Sequence, residues 1–287
     1  MDTHRLTQCI IPLLVAIPLR LAAQYIEYTS SDSILIEHIL CESHGKVADE
    51  DAMLYFGRQF LGVPYVGQTL EEGVTEHLIV NTRELDCTTF VETVMALYLC
   101  NKYGKTSFQA FCNHLRMLRY RGGELKDYTS RLHYFTWWGE DNEQMGFVRS
   151  VSTDGFPFTD TQRIKINYMS THPNLYKHLR GNQSFVDAIS KMEQASNGKA
   201  YKYIPKSLLG RSQQQLSCIH TGDIVAIITS KEGLDTSHIG IAVWQDGKLH
   251  LMHASSLYKK VIIDANTFYD YSRKQTSQLG IRLFRPL

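Results

Sequence analysis

The pattern of apolar and polar positions divides the chain into a helical first half and a strand-rich end. Val47 to Leu61 carries the apolar pairs Met53/Leu54 and Phe60/Leu61 two turns apart, which predicts a helix. Gly62-Val63-Pro64-Tyr65-Val66-Gly67 ends it. Cys87 to Cys100 predicts a second, amphipathic helix, with Phe90, Val94 and Leu97 in one apolar row and Val91, Met95 and Tyr98 in the next. Asp86 stands ahead of it as an N-cap. A third helix is expected near Ser107 to Leu118, with Phe108, Phe111, Leu115 and Leu118 on one side. A fourth starts at Ser184, with Asp187 three residues on and Phe185, Ala188, Ile189 and Met192 turned inward. From Asp223 the period changes. Asp223–Thr229, His238–Trp244, Lys248–Ala254, Lys259–Asp264 and Gly280–Arg285 are β-rich and separated by turn residues, which predicts an antiparallel meander. Residues 119–217 show no clear period and are rich in Arg, Tyr, His and Trp. There is no internal repeat.

The first residues read differently. Arg5 precedes a mostly apolar run from Ile10 to Leu19, and Leu21-Ala22-Ala23 follows. A positive start, a short apolar middle and small residues at the end make the layout of a secretory signal over 1–23, cleaved after Ala23. The run is too short for a stable membrane anchor, and Pro12, Pro18 and Arg20 interrupt it. Cys9 follows Thr7-Gln8 rather than the small residues a lipid-modified cysteine needs.

Composition adds exclusions. The 287 residues hold 30 Lys+Arg against 29 Asp+Glu, and 43% are hydrophobic. These proportions are those of a globular protein and exclude disorder, a coiled coil and a polytopic membrane protein. Removing the signal takes away Arg5, Arg20 and Asp2 and leaves 28 basic and 28 acidic residues. That balance argues against a nucleic-acid partner. Six cysteines without a CxxC pair suit neither a disulfide scaffold nor a zinc finger. Cys41, Cys87, Cys100, Cys112 and Cys218 remain after cleavage, an odd set that leaves at least one free thiol.

Cys87 is the candidate nucleophile. It follows an N-cap and opens a helix, where unpaired N–H groups and the helix dipole lower a thiol's pKa. Its base is sought among twelve histidines. Asp246-Gly247 is a two-residue hairpin signal, so Gln245 faces Lys248 and paired residue numbers sum to 493. His238 and His253 then share one face as diagonal neighbours, with Cβ atoms roughly 7 Å apart or less. Gly240 leaves room between them, and a one-residue slip would separate them. A helix-borne thiol against two histidines is the nucleophile–base–orienter logic of cysteine hydrolases. Zinc is the competing use of such residues, but His250 and His253 fall on opposite faces of a strand.

Five blocks carry a family resemblance. They are Gly62–Gly67, Leu85-Asp86-Cys87-Thr88-Thr89-Phe90-Val91-Glu92, Gly222-Asp223-Ile224-Val225, Ser237-His238-Ile239-Gly240-Ile241-Ala242 and Met252-His253-Ala254-Ser255-Ser256. In this order they resemble the signature blocks of the NlpC family, papain-like cysteine hydrolases of bacterial peptidoglycan. The resemblance implies an α+β, papain-like fold over 24–287, with the nucleophile on a helix N-terminus packed against an antiparallel sheet. It implies Cys87 as nucleophile, His238 as base, His253 as third polar residue and Tyr65 beside the nucleophile. Thr88–Glu92, Ser130-Arg131-Leu132-His133-Tyr134 and Gly233-Leu234-Asp235 resemble a secreted branch of N-acetylmuramoyl-L-alanine amidases. Most of the family carries Ser-Gly after the cysteine. This chain departs there and adds an insertion at about 104–217.

The resemblance implies a periplasmic enzyme that uses neither metal nor organic cofactor. It would cut the amide between muramic acid and L-Ala in small muropeptides, with a 1,6-anhydro or a reducing sugar end. Arg131 is the expected partner of a stem-peptide carboxylate, and Tyr134, Trp137 and Trp138 of the sugar. The alternative for these four is a packed insertion core with Arg131 in an internal ion pair. Two other functions stay open: a γ-D-glutamyl–diaminopimelate endopeptidase on the same fold, and a non-catalytic muropeptide-binding module.

Overall fold

The computed structural model describes residues 25–287, so the export signal expected over 1–23, and Cys9 with it, lie outside the described residues. The helices are α1 (Ser30–Ser43), α2 (Asp49–Arg58), α3 (Cys87–Lys102), α4 (Phe108–Arg119), α5 (Phe135–Gln144), α6 (Tyr168–Thr171), α7 (Gln183–Ser196) and α8 (Phe268–Arg273). The strands are β1 (Ile26–Glu27), β2 (Leu78–Ile79), β3 (Val148–Val151), β4 (Asp160–Arg163), β5 (Ala200–Pro205), β6 (Ile224–Thr229), β7 (Thr236–Gln245), β8 (Lys248–Ser255), β9 (Lys260–Ile263) and β10 (Gln278–Pro286). The four helices and five strands expected from periodicity all form, with ends displaced by a few residues. The result is a mixed α+β fold around an antiparallel sheet.

The sheet order is β4-β5-β10-β6-β7-β8-β9, with β3 pairing β10 beside β5. Strands β6 to β9 are the meander that the sequence predicts. The last strand departs from it: β10 returns to the far side of β6 and there joins β3, β4 and β5 from the unreadable region to the rest of the sheet. Region 104–217 therefore extends the sheet rather than sitting outside it.

Both faces of the sheet are covered. Alternation along β7 sends Ile239, Ile241 and Val243 into one apolar cluster with α2, α3 and α4, and Ala242 into another. Along β8, Met252 and Ala254 join the first, and Leu249 and Leu251 the second. The second cluster is closed by Phe268 of α8 and by Leu209, Leu216 and Ile219. Two buried faces explain why these strands read as nearly continuous apolar runs.

Helix α3 is buried all round from Thr89 to Cys100, not on one stripe as its apolar rows predict. Helices α2 and α4 and strands β7 and β8 surround it. Burying Phe90, Val94 and Leu97 contributes about 1.5–3 kcal/mol each. At Gly57 of α2 a Cβ would run into the end of the Met252 side chain of β8.

Candidate active site

Two local devices place Cys87. Asp86 caps α3: its Oδ1 accepts the Thr89 N–H at 2.8 Å, and Thr89 Oγ1 accepts the Asp86 N–H at 2.9 Å. This reciprocal pair makes Cys87 the first helical residue. The Pro64–Val66 segment is clamped on both sides. Leu85 N–H donates to Pro64 O, Val66 N–H to Leu85 O, and Tyr65 N–H to Lys259 O. Tyr65 is thereby held near Cys87. Its hydroxyl is pushed up to about 12 by burial first and then by Cys87 and Asp86, so it keeps its proton.

The β7–β8 hairpin brings the histidines together. Asp246 and Gly247 have φ of 49° and 71°, the left-handed pair that a two-residue turn between twisted strands requires. The register is Gln245↔Lys248 through Ile241↔Met252, summing to 493 as expected. His238 Nε2 and His253 Nδ1 lie 2.6 Å apart, with the rings nearly perpendicular. At Gly240 a Cβ would meet Met252 O and the Leu251 side chain at 2.8 Å, so glycine there lets β7 and β8 lie close, although neither histidine is among the atoms it would meet.

Cys87, Thr88, Thr236, Ser237, His238 and Ile239 line a cavity of about 570 Å³. Its walls carry Leu132, Tyr134, Phe135, Trp138, Met169 and Leu234, and the exposed Lys177 and Arg180 stand at its rim. His253 lies behind His238, 1% exposed.

The electrostatics correct one expectation. The Cys87 thiol is raised to about 12, not lowered. Burial is the largest cause and the neighbouring Asp86 carboxylate adds to it. The Ile239 N–H, the Thr88 side chain and the cysteine's own N–H oppose it. The helix end does stabilise a thiolate, but desolvation outweighs it. His238 is pushed down to about 4 by burial, and His253 to about 3 by burial and by His238. The resting site is a neutral thiol beside neutral imidazoles.

Two of the expected binding residues do something else. Arg131 Nε and Nη2 donate to the two Glu76 oxygens, Nη1 to Glu71 at 2.7 Å, and Nη2 also to Leu70 O. It reaches the cavity wall but is an anchor for the 70–76 segment, not a free cation for a substrate carboxylate. Trp137 is 2% exposed and does not line the cavity. Its Nε1 donates to Ser196 Oγ at 2.7 Å, and Arg121 lies over its ring. Stacking on a sugar is excluded for it by burial. Tyr134 and Trp138 do line the cavity, although Tyr134 Oη is occupied by donating to Glu193 and accepting from Met169 N–H.

Residues that the sequence did not suggest complete the site. Arg119 and Glu92 form a buried pair in the cavity wall, Nε to Oε2 at 2.7 Å. Asp235 accepts the Thr136 N–H at 2.6 Å and so ties α5 to the start of β7. Asp264, 2% exposed, stands behind His253. The β8–β9 pairing was the one signal for it. Asp264 N–H donates to Leu251 O, which makes Asp264 a diagonal neighbour of His253, just as His253 is of His238.

Among the described residues no group of three or more His, Cys, Asp or Glu is arranged to hold a metal ion, and no helix is long and apolar enough to cross a membrane. Cys41, Cys87, Cys100, Cys112 and Cys218 are all free thiols.

Nothing among curated proteins matches the chain. Solved structures do. An N-acetylmuramoyl-L-alanine amidase from Bacteroides uniformis ATCC 8492 is 41% identical, with a TM-score of 0.78, over 83% of this chain and 98% of that one. A Bacteroides fragilis protein assigned provisionally as a xylanase is 40% identical, with a TM-score of 0.75, over 80% and 99%. A Legionella pneumophila protein, 21% identical with a TM-score of 0.69 over 90% and 94%, shares the fold. The family described as AmiA-like, N-acetylmuramoyl-L-alanine amidase-like, matches residues 55–281, and with that span the chain belongs to this amidase-like family of peptidoglycan hydrolases.

Proposed function

We propose that the protein is a cysteine-dependent N-acetylmuramoyl-L-alanine amidase of the NlpC type, papain-like, acting on small muropeptides in the periplasm. One observation carries this reading. A half-buried thiol at a helix start and His238, the outer member of a hydrogen-bonded histidine pair, line one cavity large enough for a sugar–peptide fragment.

With His238 Nε2 engaged by His253, its Nδ1 is the ring nitrogen left for the thiol. The Cys87 proton passes to His238 as Sγ attacks the amide carbonyl carbon. The tetrahedral oxyanion takes the Cys87 N–H and the Tyr65 hydroxyl, which keeps its proton. One such donor contributes about 3–4 kcal/mol in the transition state. The C–N bond breaks as His238 returns the proton to the leaving L-Ala amine. Water then attacks the thioester, gives one proton to His238, and the thiol leaves and recovers it. A neutral thiol–imidazole pair suits this route, because charge appears only as the reaction starts.

The exposed Lys177 and Arg180 at the rim replace Arg131 as the cations for stem-peptide carboxylates, and Trp138 and Tyr134 form the wall for the sugar. The xylanase assignment of the B. fragilis relative suggests glycoside cleavage as a second reading. That chemistry needs two free carboxyl groups across the bond. Here Glu71 and Glu92 are held by arginines and Asp86 and Asp235 by backbone N–H groups, which leaves Glu72 alone on the cavity wall where two carboxyl groups are needed.

Mass spectrometry of digested muropeptides tests the reading. Free sugar and intact stem peptide are expected. Release of an L-Ala–D-Glu dipeptide, or its retention on the sugar, would point to the endopeptidase instead. Cut sugar linkages would point to a glycosidase.

A further inference from the structure

The proposed triad leaves a question of proton positions. For His238 Nδ1 to accept the thiol proton, its hydrogen must sit on Nε2. That Nε2–H donates to His253 Nδ1 at 2.6 Å, so His253 Nδ1 must be a lone pair and its hydrogen must sit on Nε2. A neutral imidazole chooses between its two tautomers according to the partners of its nitrogens. His253 Nε2 has no hydrogen-bond partner, and the group facing it, at 3.9 Å, is Asp264 Oδ2, which also has none. Both side chains are about 1–2% exposed. Two buried polar atoms without other partners thus lie 3.9 Å apart, within ion-pair reach of each other though beyond hydrogen-bond length.

Asp264 is held for this task. Its Oδ1 accepts both the backbone N–H and the side-chain Nδ2–H of Asn266, at 2.8 and 2.9 Å. Its own backbone is fixed by the bond to Leu251 O and by His250 Nδ1 on its carbonyl. Tyr271 packs against the His253 ring edge-on, with the ring centroids 5.6 Å apart.

We propose that Asp264 is a positioning residue for the reaction: it selects the Nε2–H tautomer of His253, which in turn leaves His238 Nδ1 free as the base for Cys87. The chain His238–His253–Asp264 runs diagonally across three neighbouring strand lines, β7, β8 and the end of β9. Asp264 touches no reacting atom. It acts through two imidazoles, and its charge also favours the imidazolium that His238 becomes after proton transfer. This inference rests on the amidase reading for its catalytic meaning, but the tautomer itself does not depend on any substrate.

The test separates the two. In ¹⁵N-histidine-labelled protein, with the His253 signals assigned by His253→Gln, His253 is expected to show a protonated Nε2 and a bare Nδ1. A protonated Nδ1 overturns the proposal, whatever bond the enzyme cuts. Asp264→Asn offers His253 an N–H donor in place of an acceptor and should invert both tautomers. We expect kcat on muropeptides to fall about 10³-fold with KM little changed, and Cys87 alkylation to slow in parallel. Asp264→Ala removes the selector without inverting it and should lose only about tenfold to a hundredfold. A merely structural role predicts the reverse order, since Asn keeps the Oδ1 acceptor for Asn266 and Ala does not. Asn within about threefold of the parent, or Ala the worse of the two, overturns the proposal. If the cut bond proves to be another while the tautomers hold, the amidase reading fails and the positioning role stands.

Discussion

The β7–β8 hairpin and the 119–217 region both carry residues chosen from sequence as parts of one site, and they fared differently. In the hairpin, His238 and His253 meet as expected, because a two-residue turn sets the register and strand alternation sets the face. In the other region, Arg131 and Trp137 point into ion pairs and core instead of toward a ligand. The lesson concerns range. The hairpin pair is 15 residues apart and joined by one geometric rule. The partners of Arg131 are 55 and 60 residues away, and no local rule reaches them.

Three substitutions or titrations can break or sharpen that contrast. The largest effect is expected at the hairpin's target. Cys87→Ala should lower turnover by about 10⁴-fold or more while leaving the melting temperature near that of the parent. Full activity in this variant would remove the chemistry from the sheet end altogether. Next comes Arg131→Met. It leaves the buried Glu76 carboxylate, its side chain 2% exposed, with the Tyr120 hydroxyl but without its cation, and should destabilise the fold by about 3–5 kcal/mol in urea unfolding. A raised KM with unchanged stability would restore Arg131 to substrate binding and erase the contrast.

The smallest effect is a pH dependence of stability. His253 is held at about 3 by burial and His238, against about 6.5 when unfolded. Between these values the unfolded chain binds the extra proton, so stability falls as pH drops below about 6.5 and levels off below the folded value. The slope is up to about 1.4 kcal/mol per pH unit for this histidine. Urea unfolding at pH 7, 5.5 and 4.5 should show a shallower fall for His253→Gln than for the parent. Equal slopes would mean that His253 is not held neutral by its surroundings.

Much of the fold was legible. Apolar periods marked α2, α3, α4 and α7, and turn residues separated β6 to β10. The N-cap at Asp86 was readable from one residue and its neighbours. What was not legible follows from packing. The apolar rows of α3 announced a half-exposed helix, yet neighbours cover every side. Strands β3 and β4 have four residues each and β4 is wholly polar, so they carry little alternation signal; β3 and β5 are strands because β10 offers an edge, and β4 because β5 does.

The site shows the same division. Placing Cys87 at a helix start and two histidines on one face needed only backbone geometry with fixed periods, which a sequence states directly. The thiol's raised pKa needed the burial that desolvates it, a sum over all surrounding elements. The partners of Arg131, the seat of Trp137 and the approach of Asp264 to His253 likewise depend on segments brought together only by the tertiary fold. Local geometry sets which way a side chain points, and long-range packing alone sets what it meets there.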